Sequence, residues 1–201
     1  MTISTCRFIV SLVFAVTVSL SVSAKDLEMS KPAQLDFINN DHFSRLFLVH
    51  DTVMGGRSQG SVTKTADGNA VLFYGELSLE NNGGFASVEF RLQQKLPAKT
   101  FTQVSLNAAA DNRTYQLRLK TPYIPQGVAY VTEFNTTSEL RDYYFDSAAF
   151  EGRYRGRKIT NLPALNFYDI IQISVMLADK KTGPFQIELH HISFSTDNKT
   201  Q

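Results

Sequence analysis

Two stretches of the sequence combine polar side chains and glycines in a way that suits hydrogen bonding or ligand binding. Residues 80–85 read Glu-Asn-Asn-Gly-Gly-Phe, and residues 50–58 read His-Asp-Thr-Val-Met-Gly-Gly-Arg-Ser. Asparagine and glycine tolerate positive φ, so both stretches are predicted to be turns or loops. A plain two-residue turn needs only one Asn-Gly pair. The additional acid, amide and glycine therefore indicate a candidate site.

The candidate binding residues are acidic, basic, amide or hydroxyl side chains that lie in loops at the ends of predicted strands. They are Asp51, Arg57, Ser58, Glu80, Asn81, Asn82, Asp179 and Lys180. A second group is predicted to shape the backbone of the same loops, and comprises Met54, Gly55, Gly56, Gly83, Gly84 and Phe85.

Two interpretations of these residues stay open. They can form a polar patch that hydrogen-bonds a glycan or the backbone of a partner. Alternatively, they can form an internal network in which Asp51 and the two asparagines satisfy buried amides and Arg57 pairs with Glu80.

Catalysis and metal binding have weak support in the sequence. Asp51 and Glu80 are the one carboxylate pair that could be nominated for glycoside hydrolysis. His190 and His191 are adjacent on a predicted strand, so they face opposite sides and cannot chelate one ion together. No catalytic residue, metal site or cofactor is predicted.

The N-terminus resembles a secretory signal. Arg7 precedes an apolar run over residues 8–22, and the small residues around Ala24 fit a cleavage site. Residues 1–24 are therefore predicted to be a signal peptide, with a retained anchor as the lesser alternative. Its removal takes away Cys6 and leaves no cysteine for disulfides or thiolate chemistry. The protein is expected to be exported, either to a periplasm or to the medium, with no transmembrane segment after cleavage.

The charge of the remaining chain is balanced. Arg7 is the one charged residue of the signal segment, so 19 basic residues stand against 19 acidic ones. A neutral chain has no general attraction for nucleic acid, and no nucleic acid partner is predicted. The dense basic run at residues 153–158 is interpreted as a solvated loop.

The rest of the chain alternates short strand-like runs with turn residues and shows no sustained helical period. About ten such strands predict an all-β sandwich or barrel. We expect a mobile lead-in over residues 25–33, one domain over 34–195 and a short tail over 196–201. Two further expectations are a strand pair joined by residues 136–138, and irregular structure over 146–165.

Three motifs resemble a known family. They are Asp-Thr-Val-Met-Gly-Gly-Arg-Ser at 51–58, Tyr-Gly-Glu-Leu-Ser-Leu-Glu-Asn-Asn-Gly-Gly-Phe-Ala-Ser at 74–87, and Ala-Asp-Lys-Lys-Thr-Gly-Pro-Phe at 178–185. On these motifs the chain is identified as a member of the complex I intermediate-associated protein 30 family. The resemblance implies a jelly-roll β-sandwich of the galactose-binding-domain-like type, in which the three loops form one polar patch.

The same resemblance carries expectations about function. Mitochondrial members act as assembly factors that bind intermediates of respiratory complex I, and the family is not known for enzymes. It therefore implies a non-catalytic protein that contacts a protein partner through its strand-end loops. A carbohydrate-binding module is the alternative.

The chain departs from the family pattern because it contains no tryptophan. Phe47 or Leu48 stands where one family tryptophan is expected, and Tyr143 or Tyr144 stands near the other. For the carbohydrate hypothesis, the sugar-stacking surfaces would have to come from tyrosines. The candidates are Tyr123, Tyr130, Tyr143 and Tyr144.

Overall fold

The computed structural model describes residues 32–97 and 100–196. The predicted signal peptide lies outside this part of the chain, as do nearly all of the predicted lead-in and tail. Pro32 and Ala33 are described, and Ala33 already belongs to the first strand.

Thirteen strands account for most of the described residues. In chain order they are β1 (Ala33–Asp36), β2 (Phe43–His50), β3 (Gln59–Lys64), β4 (Val71–Leu77), β5 (Ala86–Leu92), β6 (Gln103–Ala110), β7 (Thr114–Lys120), β8 (Val128–Asn135), β9 (Arg141–Asp146), β10 (Glu151–Tyr154), β11 (Arg157–Lys158), β12 (Gln172–Leu177) and β13 (Gly183–Ser195). The helical segments in this part of the chain are short 3-10 turns, at Asp51–Met54, Glu80–Asn82, Ser147–Ala149 and Phe167–Asp169.

The strands form two antiparallel sheets. One has the order β3-β4-β13-β6-β9, with β1 also paired to β13, and the other has the order β11-β10-β8-β7-β12-β5-β2. We call them the six-stranded and the seven-stranded sheet. They pack face to face as an all-β jelly-roll sandwich of the galactose-binding-like type, which confirms the predicted fold class.

The core forms because alternate side chains of each strand point between the sheets. On β12, Ile173, Val175 and Leu177 are fully buried, and they lie beside the buried Leu117 and Leu119 of β7. This period of two is the signal that the sequence carries for a half-buried strand.

The predicted strand pair around residues 136–138 is wrong. β8 lies in the seven-stranded sheet, whereas β9 lies in the six-stranded sheet and pairs with β6. The connection crosses from one sheet to the other. Alternation along a strand marks its buried face but does not say which strand lies beside it.

The prediction of irregular structure over residues 146–165 is wrong in part. β10 pairs with β8, and β11 extends the sheet by a two-residue pairing with β10. These strands are short and carry the charged residues Glu151, Arg153, Arg157 and Lys158, and Gly152 leaves room for the Leu162 side chain, to which a Cβ atom would lie at 2.3 Å. A sequence pattern based on apolar alternation does not detect such strands.

One end of the sandwich gathers the loops that carry the candidate residues. The register places His50 opposite Ala86, Gln59 opposite Glu76, and Gly183 opposite Leu77. The loops that follow β2, β4 and β12 therefore leave the sheets at the same end. We call it the loop end, formed by residues 51–58, 78–85, 111–113, 136–140 and 178–182.

Candidate functional site

A buried carboxylate holds two of these loops together. Asp51 is fully buried, and its Oδ1 accepts a hydrogen bond from the Ser58 backbone N–H at 2.9 Å. Its Oδ2 accepts from the Ser58 hydroxyl at 2.5 Å, from Gly84 N–H at 2.6 Å and from Phe85 N–H at 3.3 Å. Two of these donors belong to the loop of Asp51 itself, and two belong to the loop after β4.

This carboxylate connects the two sheets as well as the two loops. Residues 51–58 lead from β2 in the seven-stranded sheet to β3 in the six-stranded sheet, and residues 78–85 lead back from β4 to β5. The Ser58 hydroxyl also accepts a hydrogen bond from Ser78 N–H at 3.0 Å, which extends the network to the start of the second loop. We call the contacts of Asp51, Ser58, Ser78, Gly84 and Phe85 the Asp51 clamp.

Two glycines leave the room that the clamp requires. A Cβ atom on Gly56 would lie 2.3 Å from the Asp51 Cγ, and one on Gly83 would lie 2.5 Å from its Oδ2. Gly55 and Gly84 instead have positive φ angles of 90° and 123°, which a side chain would strain. The Gly-Gly pairs thus serve backbone shape and close approach to the carboxylate.

The surroundings of Asp51 keep it ionised. Burial on its own raises the pKa of this carboxyl, but the hydrogen bonds from Ser58, Gly84 and Phe85 outweigh burial and lower the pKa below 3.8. The neighbouring His50 has a lowered pKa because burial outweighs the attraction of Asp51 for the imidazolium. Its Nε2 is buried without a hydrogen-bond partner in the described chain.

Polar groups project outward from the same loops. The Arg57 guanidinium and the Glu80 carboxylate form an ion pair at 3.1 Å, and both side chains are largely exposed. Asn81 donates its side-chain amide to the Gly55 carbonyl at 3.0 Å. Asn81 and Asn82 have positive φ angles of 56° and 59°, which asparagine tolerates better than most residues.

A second clamp fixes the loop after β12. All five N–H groups of the Arg113 guanidinium donate hydrogen bonds. Nε and Nη2 bind the Asp179 carboxylate at 3.0 and 2.7 Å, Nη1 binds the carbonyls of Gly183 and Pro184, and Nη2 also binds the Lys181 carbonyl. We call this set the Arg113 clamp. Lys180, at φ 62°, is exposed beside it.

The pKa values of this buried pair follow from its contacts. Burial raises the pKa of Asp179, but the hydrogen bonds from Arg113 and from Lys181 N–H outweigh it and lower the pKa below the usual range. The same pairing raises the pKa of Arg113, against the opposing effect of burial. Both groups stay charged throughout the physiological range.

The two interpretations of the candidate residues, an internal network and a polar binding patch, each apply to some residues of the loop end. Asp51, Ser58 and Asp179 lie in the interior with partners from the chain, so they can position a binding surface but cannot contact a partner directly. The exposed candidates are Arg57, Glu80, Asn81, Asn82 and Lys180.

An open depression of about 620 Å³ lies between the exposed parts of these loops. It is lined by Arg57, Gln59, Glu76, Leu77, Ser78, Leu79, Glu80 and Thr182. Thr182 brings the third loop into contact with the first two. Sequence reasoning missed Gln59, Glu76 and Arg113, although Gln59 and Glu76 flank the two Gly-rich loops and become neighbours once β3 pairs with β4.

The described residues contain no group of three or more histidine, cysteine or acidic side chains that could hold a metal ion. No helix among them is long and apolar enough to cross a membrane.

The carboxylate pair nominated for glycoside hydrolysis is not formed. Both oxygens of Asp51 accept hydrogen bonds inside the fold, so Asp51 and Glu80 do not form a solvent-facing carboxylate pair. Tyr130 and Tyr143 are buried and are excluded as sugar-stacking surfaces.

Solved structures that resemble this fold include β-sandwich carbohydrate-binding modules. A family 11 carbohydrate-binding module from Clostridium thermocellum, in complex with a β-1,3-1,4-mixed-linked tetrasaccharide, has a TM-score of 0.58 and 13% identity over 84% of this chain and 98% of the module. The family 11 module of the cellulosomal cellulase Lic26A-Cel5E of the same organism has a TM-score of 0.56 and 14% identity, over 86% and 99%. At such identities the likeness concerns the fold alone.

The family of this chain follows from its amino-acid sequence. The family model described as Complex I intermediate-associated protein 30 (CIA30) matches residues 35–189, and the chain belongs to that family. No protein with a curated description matches this sequence significantly.

Proposed function

We propose that this chain is a non-catalytic, exported binding protein that contacts a protein partner through the exposed face of the loop end. Support comes from the family, whose name refers to association with an assembly intermediate, and from the construction of the loops. The proposed location, in a periplasm or outside the cell, rests on the N-terminal sequence alone.

The observation that carries the proposal is that buried charged side chains hold the loops in place, while other charged side chains of the same loops are exposed to solvent. Asp51 and Arg113 fix three loops from inside, so Arg57, Glu80 and Lys180 are presented on an ordered backbone. A surface that is ordered before binding loses less conformational entropy when it binds. The Arg57–Glu80 pair itself is exposed, and exposed ion pairs contribute about 0–1 kcal/mol to stability. These two side chains are therefore free to exchange partners.

The test is chemical cross-linking of the tagged full-length protein in its own cells, with identification of the captured protein by mass spectrometry. The wild type is compared with Arg57→Ser and with the matched control Arg91→Ser. The control also removes one positive charge, but from the end of β5 that is remote from the loop end. A protein captured by the wild type and by Arg91→Ser, but lost with Arg57→Ser, supports the proposal. A captured set that does not change with Arg57→Ser contradicts it.

A carbohydrate ligand is the second candidate, and one observation favours it. The outer face of the seven-stranded sheet carries a row of linked polar side chains: Gln172 donates to Glu89 at 2.6 Å, and Arg118 donates to Gln116 at 3.0 Å. The exposed aromatic side chains on the described strands of this sheet are Phe47 on β2 and Tyr154 on β10, and these strands lie near opposite edges of the sheet, so a continuous stacking platform for a sugar ring is small.

The carbohydrate candidate has its own test. Affinity electrophoresis in gels that contain β-1,3-1,4-mixed-linked glucan would show retardation of the wild type that is lost with Arg118→Ala. Equal mobility in gels with and without the glucan would count against this ligand.

A further inference from the structure

The outer face of the seven-stranded sheet carries a line of long, mostly cationic side chains at the end remote from the loop end. Paired residues of neighbouring strands point to the same face, and the register aligns one such residue from each of six strands. They are Arg45 on β2, Arg91 on β5, Gln172 on β12, Lys120 on β7, Arg153 on β10 and Lys158 on β11, and we call them the basic row. β8 lies between β7 and β10 and contributes the small Ala129, which pairs with Arg153. With neighbouring strands about 4.8 Å apart, the basic row extends over about 29 Å.

The positive charge of this face results from the arrangement of the residues and not from the composition of the chain. On the described strands of the seven-stranded sheet, the outward-facing charged residues are six cations and three carboxylates. The cations are those of the basic row and Arg118, and the carboxylates are Glu89, Glu133 and Glu151.

The outer face of the other sheet has the opposite character. Its outward-facing strand residues in the described chain include no lysine or arginine, and its carboxylates are Asp36, Glu76, Asp142, Asp146 and Glu188. The formal net charge of the whole chain is +1, so the sandwich separates opposite charges onto its two outer faces. A face with an excess of cations attracts an anionic ligand.

Arg45 and Arg91 form an unfavourable pair within the basic row. They lie directly opposite each other on neighbouring strands, both are exposed, and neither forms an ion pair with a carboxylate of the described chain. Like charges directly opposite each other destabilise a pair of strands. A negatively charged group bound between the two guanidinium groups would remove this repulsion and accept hydrogen bonds from both. This pair therefore indicates a ligand, because it does not stabilise the sheet.

Two further guanidinium groups of the same face have hydrogen-bond donors without an acceptor. Arg118 donates from Nη1 to the Gln116 side chain at 3.0 Å, and the described chain supplies no other acceptor for it. Arg153 lies 3.6 and 3.8 Å from the carboxylates of Glu133 and Glu151, and its buried Nε has no hydrogen-bond partner in this part of the chain. Burial and the nearby Arg153 cation lower the pKa of Arg118. An anion bound at this place would accept hydrogen bonds from both groups and reduce their mutual repulsion.

We infer that the basic row and Arg118 bind an acidic polysaccharide built of uronic acid residues, which lies across the strands of the sheet. Its carboxylates accept hydrogen bonds from the guanidinium groups, whose planar shape suits a carboxylate. Its hydroxyl groups donate to the acceptors that lie between the cations, such as Glu89 and the side-chain carbonyl of Gln116. The inference rests on the carbohydrate-binding function proposed above and names the class of sugar, while the loop end is a separate surface.

Other anionic partners fit this face less well. A nucleic acid presents a continuous line of phosphates, which would meet the carboxylates of Glu89, Glu133 and Glu151 as well as the cations. It also stacks its bases on aromatic rings, and no residue of the basic row is aromatic. A protein partner would need large apolar side chains at the centre of its interface, and the basic row has none. In a uronic acid chain, hydroxyl groups separate the negative charges and hydrogen-bond to carboxylates and amides.

The test measures the binding of fluorescently labelled oligogalacturonate to the purified full-length protein by fluorescence anisotropy, at about 0.15 M salt, which screens long-range attraction. Arg91→Ser is expected to weaken binding about tenfold or more, because it removes a charge-assisted hydrogen bond. Lys64→Ser is the matched control, since Lys64 is also an exposed cation but lies on β3 of the other sheet. Weaker binding of Arg91→Ser alone supports the inference. Equal weakening of both variants would indicate general charge attraction and overturns it.

Three further labelled probes, measured in the same way, separate the possible sources of negative charge. They are polyglutamate, oligothymidylate and a neutral oligosaccharide of β-1,3-1,4-mixed-linked glucan. Tighter binding of polyglutamate or of oligothymidylate than of oligogalacturonate would identify another class of partner and overturns the inference. Binding of the neutral glucan but not of oligogalacturonate overturns it and leaves the carbohydrate candidate standing, whereas binding of neither sugar contradicts both.

A second measurement tests whether Arg91 serves the fold or a ligand. Arg91→Glu places a carboxylate opposite Arg45 and replaces a repulsive cross-strand pair by an attractive one. Loss of oligogalacturonate binding with a raised or unchanged midpoint of urea unfolding supports the inference. A lower midpoint would mean that Arg91 stabilises the sheet, and overturns the argument that this residue requires a ligand.

Discussion

Replacement of Asp51 by alanine is predicted to destabilise the fold far more than the loss of a loop acid normally does. Asp51→Ala would remove the acceptor of four donors, namely the N–H groups of Ser58, Gly84 and Phe85 and the Ser58 hydroxyl, which keeps only the more distant Ser78 carbonyl at 3.2 Å. A donor left unsatisfied in the interior costs about 1–3 kcal/mol. Four such losses are not additive, since water enters and the loops relax, so we expect a decrease of about 3–5 kcal/mol in the free energy of unfolding.

The assay is urea-induced unfolding of the purified protein at neutral pH, followed by tyrosine fluorescence. Asp67→Ala is the control, because Asp67 also accepts several hydrogen bonds, from Thr65 and Asn69, but does so in an exposed turn at the opposite end. Water replaces those contacts, so this variant should stay close to the wild type. The reasoning is refuted if the free energy of unfolding of Asp51→Ala lies within about 0.5 kcal/mol of the wild type, which is the range of ordinary surface substitutions.

Three further predictions test the surroundings of the two clamps. Gly83→Ala places a methyl group 2.5 Å from the Asp51 carboxylate and should reduce the free energy of unfolding by about 1–3 kcal/mol in the same assay, whereas an unchanged stability would contradict the close packing. Arg113→Lys keeps the charge beside Asp179 but cannot reach the three carbonyls, so a loss of about 2–4 kcal/mol is expected, and full retention of stability would count against the clamp. His50 has a lower pKa in the folded state than its usual 6.5, so the unfolded state binds more protons in this range. The contribution of the neutral imidazole to the free energy of unfolding is therefore fully present above pH 6.5 and is lost as the pH falls through the folded pKa. This loss should be absent from His50→Gln in urea titrations across that range.

The fold class could be predicted from the sequence because its signals are local. The alternation of apolar and polar residues in β5 and β7, and turn residues such as Asp67-Gly68-Asn69, report directly on the backbone. The assignment of strands to sheets could not be predicted in the same way, because β8 and β9 look alike whether they pair or lie in opposite sheets. That choice is decided by packing between residues far apart in the chain.

The sequence marks the loop motifs that carry the candidate site, but it does not determine which way each side chain points. It cannot show that Asp51 points inward while Arg57 points outward. Arg113 follows an ordinary Asp-Asn turn, and its role depends on a loop 66 residues later in the chain. The exposure of Leu46–Leu48 likewise depends on the position of β2 at the edge of a sheet, which is a property of topology.

The central claim is that buried charges hold the loop end in a fixed shape, and native-state hydrogen exchange of individual amides tests it most directly. Ser58, Gly84 and Phe85 lie in loops or at a strand start, but their N–H groups point at the Asp51 carboxylate. Asn69 N–H also binds a carboxylate, that of Asp67, but in an exposed turn. We predict that the Asp51-bound amides exchange with free energies close to that of global unfolding, while Asn69 exchanges many orders of magnitude faster. Exchange of Gly84 at the rate of Asn69 would show that the clamp opens freely, and would contradict the account.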